Sequence, residues 1–156
     1  MTRLPAMLKG IAILSLLLVT GCAAPPVGEF VPYYQVETDK PYAEVLAELE
    51  VAISENNFRI TGHSRVGKVI RDRGSKDFPE YDTIQFCNLT EARTLLLMSP
   101  AAVRHMPCNV VLYQYDQKTI VRTHLLPTDT DSQALNAFSG KMNETLKSIV
   151  DFAVEQ

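Results

Sequence analysis

Two apolar segments separated by a short polar one constrain the fold of this chain more than any other feature. Residues 109–115 are rich in valine and tyrosine and predict the clearest strand. Residues 116–118 predict a turn, and residues 119–123 predict the strand that runs back beside the first. Adjacent strands joined by a tight turn pair antiparallel. The sequence therefore favours an antiparallel sheet over a doubly wound parallel one.

Two long helices are predicted from apolar residues that recur at helical spacing. The first follows a cap at Thr38 or Asp39, with Pro41 in its first turn, where a missing N–H costs nothing. Its apolar face holds Tyr42, Val45, Leu46, Leu49, Ala52 and Ile53. The second runs from about residue 132 to 154 and closes the chain. Its apolar face holds Leu135, Phe138, Met142, Leu146, Ile149 and Ala153.

The remaining predicted elements are shorter. A third helix begins at Asn88, which forms a capping box with Glu91, and its apolar stripe is Ala92, Leu95 and Leu96. A short helix fits residues 66–70, although Gly67 disfavours it. Three more strands are predicted at residues 33–36, 58–61 and 83–86, and loops at residues 77–82 and 127–131. Strands that alternate with helices around a hairpin predict an α+β fold with helices packed on a mainly antiparallel sheet.

The amino terminus has the features of a secretory signal. Arg3 and Lys9 precede an apolar run at residues 11–19, which is shorter than the ~20 residues that span a bilayer as a helix. Val19-Thr20-Gly21-Cys22 resembles the lipobox of bacterial lipoproteins. The resemblance implies that residues 1–21 are removed and that Cys22 carries lipid such as palmitate. The alternative is an uncleaved amino-terminal anchor.

This interpretation sets the domain organisation and the location. Residues 22–32 are a lipidated terminus and proline-rich linker, and residues 33–156 form one α+β domain. The protein is expected in the cell envelope, facing the periplasm and held in the membrane by lipid. Ala23 stands where an Asp often retains diderm lipoproteins in the inner membrane, so the outer membrane is favoured. The oligomeric state is left open.

Charge and composition exclude nucleic acid as a partner. The chain has 15 basic and 18 acidic residues, and cleavage removes two basic residues and no acidic one. No basic cluster remains that could follow a phosphate backbone. No cofactor motif is present, and no Ser, His and Asp are spaced as a catalytic triad, so a non-enzymatic role is favoured.

Cys87 and Cys108 are the main candidates for chemistry. Each lies at the end of a predicted strand, so the two could approach disulfide distance in an oxidising compartment. Cys87 also precedes a helix amino terminus, which stabilises a thiolate. The alternatives are buried thiols, a disulfide, a redox-active pair or metal ligands.

The other candidate side chains carry weaker signals. His105, Met106 and Cys108 offer an imidazole, a thioether and a thiol, which suit a soft ion such as Cu(I), but Pro107 restricts how they could converge. His63 and His124 lie beside strand ends with no obvious partner in sequence. Tyrosines at strand positions are more often core residues than cavity linings.

The two cysteine segments resemble those of a bacterial family, the domain of unknown function 302. Cys87-Asn88-Leu89 with Ala92 and Leu96 resembles that family's Cys-Asn-Pro…Ala…Leu segment, with Leu89 in place of the proline. Residues 106–113 resemble its Leu-Pro-Cys…Val-Tyr segment, although Arg104-His105 replaces a glycine-containing approach, and Pro127 falls at its next proline.

The resemblance covers about residues 33–152. It implies a compact α+β fold similar to the TATA-binding-protein and helix-grip folds. It implies no activity, because none is established for the family as a class. Cytosolic members carry the same cysteine pair, which argues against a role only as a disulfide formed in the periplasm.

These observations predict a lipid-anchored binding or accessory module for a small apolar ligand or an envelope partner. A helix arching over a sheet can enclose an apolar pocket, and a cavity above about 300 Å³ would favour this role. The alternative is thiol-based redox, sulfur-handling or soft-metal binding by Cys87 and Cys108. A purely structural envelope protein is the third hypothesis.

Overall fold

The computed structural model describes residues 32–155, which form one five-stranded sheet with helices packed against it. The strands are β1 (Tyr33–Thr38), β2 (Arg59–Ser64), β3 (Tyr81–Cys87), β4 (Cys108–Tyr115) and β5 (Lys118–His124). Their order in the sheet is β1-β5-β4-β3-β2, and every neighbouring pair is antiparallel. The α+β prediction is therefore confirmed. The predicted signal segment and Cys22 lie outside the described residues.

Four α-helices and one 3₁₀ helix connect the strands. They are α1 (Tyr42–Glu55), α2 (Val66–Asp72), α3 (Leu89–Met98), the 3₁₀ helix (Pro100–His105) and α4 (Gln133–Val154). The long helices α1 and α4 pack together on one face of the sheet. None of the helices between residues 32 and 155 combines the length and apolar character needed to cross a membrane.

The predicted hairpin is present, with a tighter turn than the sequence indicated. Tyr115 pairs with Lys118, so Lys118 belongs to β5 and only Asp116 and Gln117 form the turn. Both turn residues have positive φ, 47° and 63°. This is the geometry of the two-residue turns whose twist matches that of the paired strands.

The core lies between the sheet and the two long helices. Val45, Leu49 and Ile53 of α1 are fully buried, as its apolar stripe predicts. From α4, Leu146, Ile149 and Ala153 are buried, whereas Phe138 is only half-buried. Full burial of a Leu or Ile side chain contributes about 1.5–3 kcal/mol, so these positions hold both helices on the sheet.

The short helix α2 contacts the rest of the molecule through its glycine. Val66 and Val69, which suggested the helix, are 38% and 47% exposed, and Gly67 is buried instead. A Cβ at Gly67 would lie 2.5 Å from the carbonyl oxygen of Pro79. The glycine that disfavours the helix in sequence therefore allows it to approach the chain that enters β3. The loop prediction for residues 77–82 is wrong at its end, because β3 begins at Tyr81.

Candidate functional site

A groove opens at one end of the sheet, where β3 ends, β4 begins and the chain leaves β5. We call it the sheet-end groove, and its volume is about 370 Å³. Its basic side chains are Arg104, His105 and His124, and its amide side chains are Gln85 and Asn109. This volume falls within the usual range of small-molecule sites.

The other wall of the sheet-end groove is apolar. It is formed by Leu125, Leu126 and Leu146, with Met106 and Pro107 beside them. The peptide bond between Met106 and Pro107 is cis. The groove therefore presents polar and basic groups on one side and leucines on the other.

A second, much smaller cavity lies beside the groove, between α3 and α4. We call it the thiol cavity, because both Cys87 and Cys108 line it. Its volume is about 30 Å³, and its apolar walls are Phe58, Ala92, Leu95, Leu126, Phe138 and Met142. This is room for about one water molecule and not for an organic ligand. His105, Met106, Cys108 and Leu126 line both spaces and separate them.

Two local structures place the thiols. Cys108 begins β4 opposite Phe86 of β3. Cys87 ends β3 directly before Asn88, whose side chain caps α3 by accepting hydrogen bonds from the N–H groups of Thr90 and Glu91 at 3.0 and 3.2 Å. The predicted cap of this helix is therefore confirmed.

Both cysteines are free thiols in the structure. Burial raises the pKa of Cys108 to about 11, and the neighbouring Cys87 adds to the rise. Cys108 is therefore protonated at neutral pH and is a weak nucleophile and a weak metal ligand in this state. That the two cysteines lie within bridging reach stays a prediction.

That His105, Met106 and Cys108 bind a soft ion stays a prediction. His105, Met106 and Cys108 do line the same two spaces. However, among residues 32–155 no group of three or more His, Cys, Asp and Glu side chains could hold a metal ion. Nε2 of His105 accepts a hydrogen bond from Nε of Arg104 at 3.2 Å, which gives this ring nitrogen another role.

Two asparagines of α4 hold the loop that borders the groove. The side chain of Asn143 donates to the carbonyl of Leu126 at 2.9 Å and accepts from its N–H at 2.7 Å, in a buried position. Two turns earlier, Asn136 binds the backbone and hydroxyl of Thr130 in the same way. Sequence reasoning missed both, because an asparagine beside an apolar helical stripe gives no signal of its partner.

His63 has partners that its sequence neighbours did not reveal. Its Nε2 lies 3.1 Å from Oδ2 of the buried Asp82, and its Nδ1 lies 3.8 Å from Oε1 of Glu50 on α1. Burial and the charge of Asp82 also raise the pKa of Tyr42. Because neither the groove nor the thiol cavity is lined by these residues, we interpret the cluster as a link between β2, β3 and α1.

Comparison with known proteins assigns a family and a fold. The family model described as "Domain of unknown function DUF302" matches residues 34–153. The crystal structure of an uncharacterized conserved DUF302 protein from Bacillus stearothermophilus is similar, with a TM-score of 0.69 and 20% sequence identity. The similarity covers 79% of this chain and 98% of that one. No curated protein sequence matches significantly.

Proposed function

The chain belongs to the DUF302 family, and we propose that it acts as a lipid-anchored, periplasm-facing binding module of the cell envelope. The family has no assigned activity and a fold does not specify one, so the function has to be argued from the site. The sheet-end groove, with its volume of about 370 Å³, is the observation that carries the proposal.

The volumes of the two spaces support one of them as the place where a ligand would bind. The thiol cavity under α4 holds about 30 Å³, too little for the apolar ligand expected there from the sequence. In the groove, an apolar group would contact Leu125, Leu126 and Leu146. We therefore propose the groove, rather than the space beneath the closing helix, as the binding site.

The proposed anchor rests on the sequence of residues 11–22. A lipid on Cys22 would tether the domain through the short linker that ends at residue 32, directly before the first strand. The domain would then stay close to the membrane surface. Its groove would meet ligands in the adjacent periplasm.

Native mass spectrometry of the protein extracted from the envelope tests the proposal. It measures the mass of lipid on Cys22 and that of any small molecule that co-purifies. A Leu125→Trp variant fills the groove, and Leu97→Trp is its matched control, because Leu97 is exposed on α3 away from the groove. A co-purified ligand should be lost from the first variant and kept by the second. Equal retention by both would contradict the groove as its site.

A second candidate function is thiol redox chemistry. Cys87 and Cys108 line one small cavity, and Cys87 is close enough to raise the pKa of Cys108. In this reaction the two thiols form one disulfide and lose two protons and two electrons to an envelope disulfide, which becomes two thiols. Because Cys108 is protonated at neutral pH and is a weak nucleophile, Cys87 would make the first attack.

Trapping of a mixed disulfide tests this second function. A Cys108→Ser variant should accumulate a disulfide between Cys87 and its oxidant, because the resolving thiol is missing. Cys87→Ser should not accumulate one. If neither variant traps a partner, the redox function is contradicted, and if both do equally, the assigned order of attack is wrong.

A further inference from the structure

The ionisable side chains that line the sheet-end groove are bases, apart from the thiol of Cys108. Arg104, His105 and His124 line it, and no Asp or Glu of the described residues does. Among the described residues, the groove therefore lacks carboxylates, although the chain as a whole has more acidic than basic residues, 18 against 15. Arg104 carries a permanent positive charge in this lining, and a positive charge in a cleft attracts ligands of the opposite charge.

Arg104 can bind such a ligand, whereas the guanidinium of Arg71 already has protein partners. The guanidinium of Arg71 binds the carboxylate of Glu80 and backbone carbonyls on α2's neighbouring loop. Within residues 32–155, Arg104 forms no salt bridge. Its Nε is held by Nε2 of His105 at 3.2 Å. The two terminal nitrogens of a guanidinium so held form the fork that binds carboxylate, sulfonate or phosphate oxygens in pairs.

The opposite wall of the groove is suited to a different part of the ligand. Leu125, Leu126 and Leu146 present apolar surface there, and Asn143 fixes the backbone of Leu126. A small inorganic anion would leave this apolar wall in contact with water. An anion with an attached apolar chain or ring would cover it, which is favourable in proportion to the area removed from water.

We infer that the ligand of the sheet-end groove is an amphiphilic anion. Arg104 binds its acidic group, and the three leucines contact its apolar part. The inference rests on the binding function proposed above and adds the chemical class of the ligand. A free organic acid and an anionic membrane lipid share this chemistry.

Isothermal titration calorimetry on the full chain in phosphatidylcholine nanodiscs tests the inference, with empty nanodiscs as the blank. Octanoate, octan-1-ol and octylammonium are compared because they share one apolar chain and differ in the charge of the head group. Octanoate should bind about tenfold more tightly than octanol, since it gains a charge-assisted pair of hydrogen bonds. The Arg104→Gln variant should lower octanoate binding to the level of octanol. Arg93→Gln, an exposed arginine of α3 outside the groove, should not.

The outcomes separate the inference from the function on which it rests. If octanol binds as tightly as octanoate, or octylammonium binds best, the anion is wrong and the binding site stands. If none of the three binds, the proposed binding function fails as well. Nanodiscs that contain phosphatidylglycerol distinguish the two sources of the ligand. Competition with octanoate points to a membrane lipid, and unchanged affinity points to a free organic acid.

Discussion

Replacing Asn143 by Ala tests whether the loop that borders the groove depends on one buried amide. The side chain of Asn143 is 7% exposed, and so is Leu126, whose N–H and C=O it binds. The substitution leaves one donor and one acceptor of the backbone buried without a protein partner, at about 1–3 kcal/mol each. We expect a loss of about 3 kcal/mol in the free energy of unfolding, which corresponds to a fall of about 12 °C in Tm.

Asn136→Ala is the matched control, since Asn136 lies on the same helix and binds the same loop. It forms three hydrogen bonds with Thr130, one more than Asn143 forms with Leu126. It is only half-buried, so water can replace the lost groups. We expect its removal to cost about 1 kcal/mol.

Thermal unfolding followed by circular dichroism at 222 nm, on both variants in the same membrane mimetic, gives the comparison. Burial predicts that Asn143→Ala is the more destabilised variant, whereas the number of hydrogen bonds predicts the reverse. An equal or larger loss of Tm in Asn136→Ala would refute the reasoning from burial.

Four other substitutions or reactions have defined outcomes. Gly67→Ala should destabilise the protein by about 1–3 kcal/mol in chemical denaturation, despite the higher helix propensity of alanine, because the new Cβ would lie 2.5 Å from the carbonyl oxygen of Pro79. Cys108, with a pKa raised to about 11, should react with iodoacetamide at pH 8 about 100-fold more slowly than a thiol of pKa 9.0, and its rate should rise with pH until about pH 11, as mass spectrometry can follow. Phe138→Ala should cost about 1.5–3 kcal/mol in chemical denaturation, less than the 3–5 kcal/mol of a fully buried ring, because Phe138 is half-buried. Cys22→Ser should abolish labelling with radioactive palmitate and lipoprotein-type processing.

Each of these expectations has a contrary result. A Gly67→Ala variant as stable as the wild type would show that α2 can move away from the strand entry. Alkylation of Cys108 that reaches its maximum rate near pH 8 would show an exposed or activated thiol. A cost above 4 kcal/mol for Phe138→Ala would place the ring inside the core. Unchanged labelling and processing of Cys22→Ser would remove the proposed anchor.

Most parts of the fold that follow from local pattern were predicted from the sequence. The cap of α1 at Thr38 or Asp39 was not, because Pro41 takes that position without a side-chain hydrogen bond. The hairpin of β4 and β5, the cap at Asn88 and the buried faces of α1 and α4 all depend on residues close together in the chain. Hydrophobic periodicity and capping are properties of such short segments. They are therefore visible without knowledge of the tertiary structure.

The parts that depend on distant contacts were not predicted. In the sequence, Gly67 indicates a helix breaker. In the structure, it allows α2 to approach the carbonyl oxygen of Pro79. His63 and Asp82 lie 19 positions apart and meet only because β2 pairs with β3. Their pairing needs the register of the sheet, which no single segment encodes.

The candidate site was predicted in part. The sequence selected Cys87, Cys108, His105 and Met106, and the structure brings all four to the thiol cavity. It did not indicate the sheet-end groove or its volume. The groove forms where β3 ends, β4 begins and the chain leaves β5. No sequence pattern marks its leucines and amides as residues that line a common space.

The position of β1 in the sheet has a consequence for how the chain folds. β1 is the first strand in sequence, yet it pairs only with β5, so that Tyr33 lies opposite His124 and Thr38 opposite Thr119. Closing so long a loop is entropically costly and is compensated only when the distant strand is in place. In a chain that is synthesised from its amino terminus, β1 therefore has no strand to pair with until β5 is present. A protein with this topology therefore keeps its first strand unpaired through most of its synthesis.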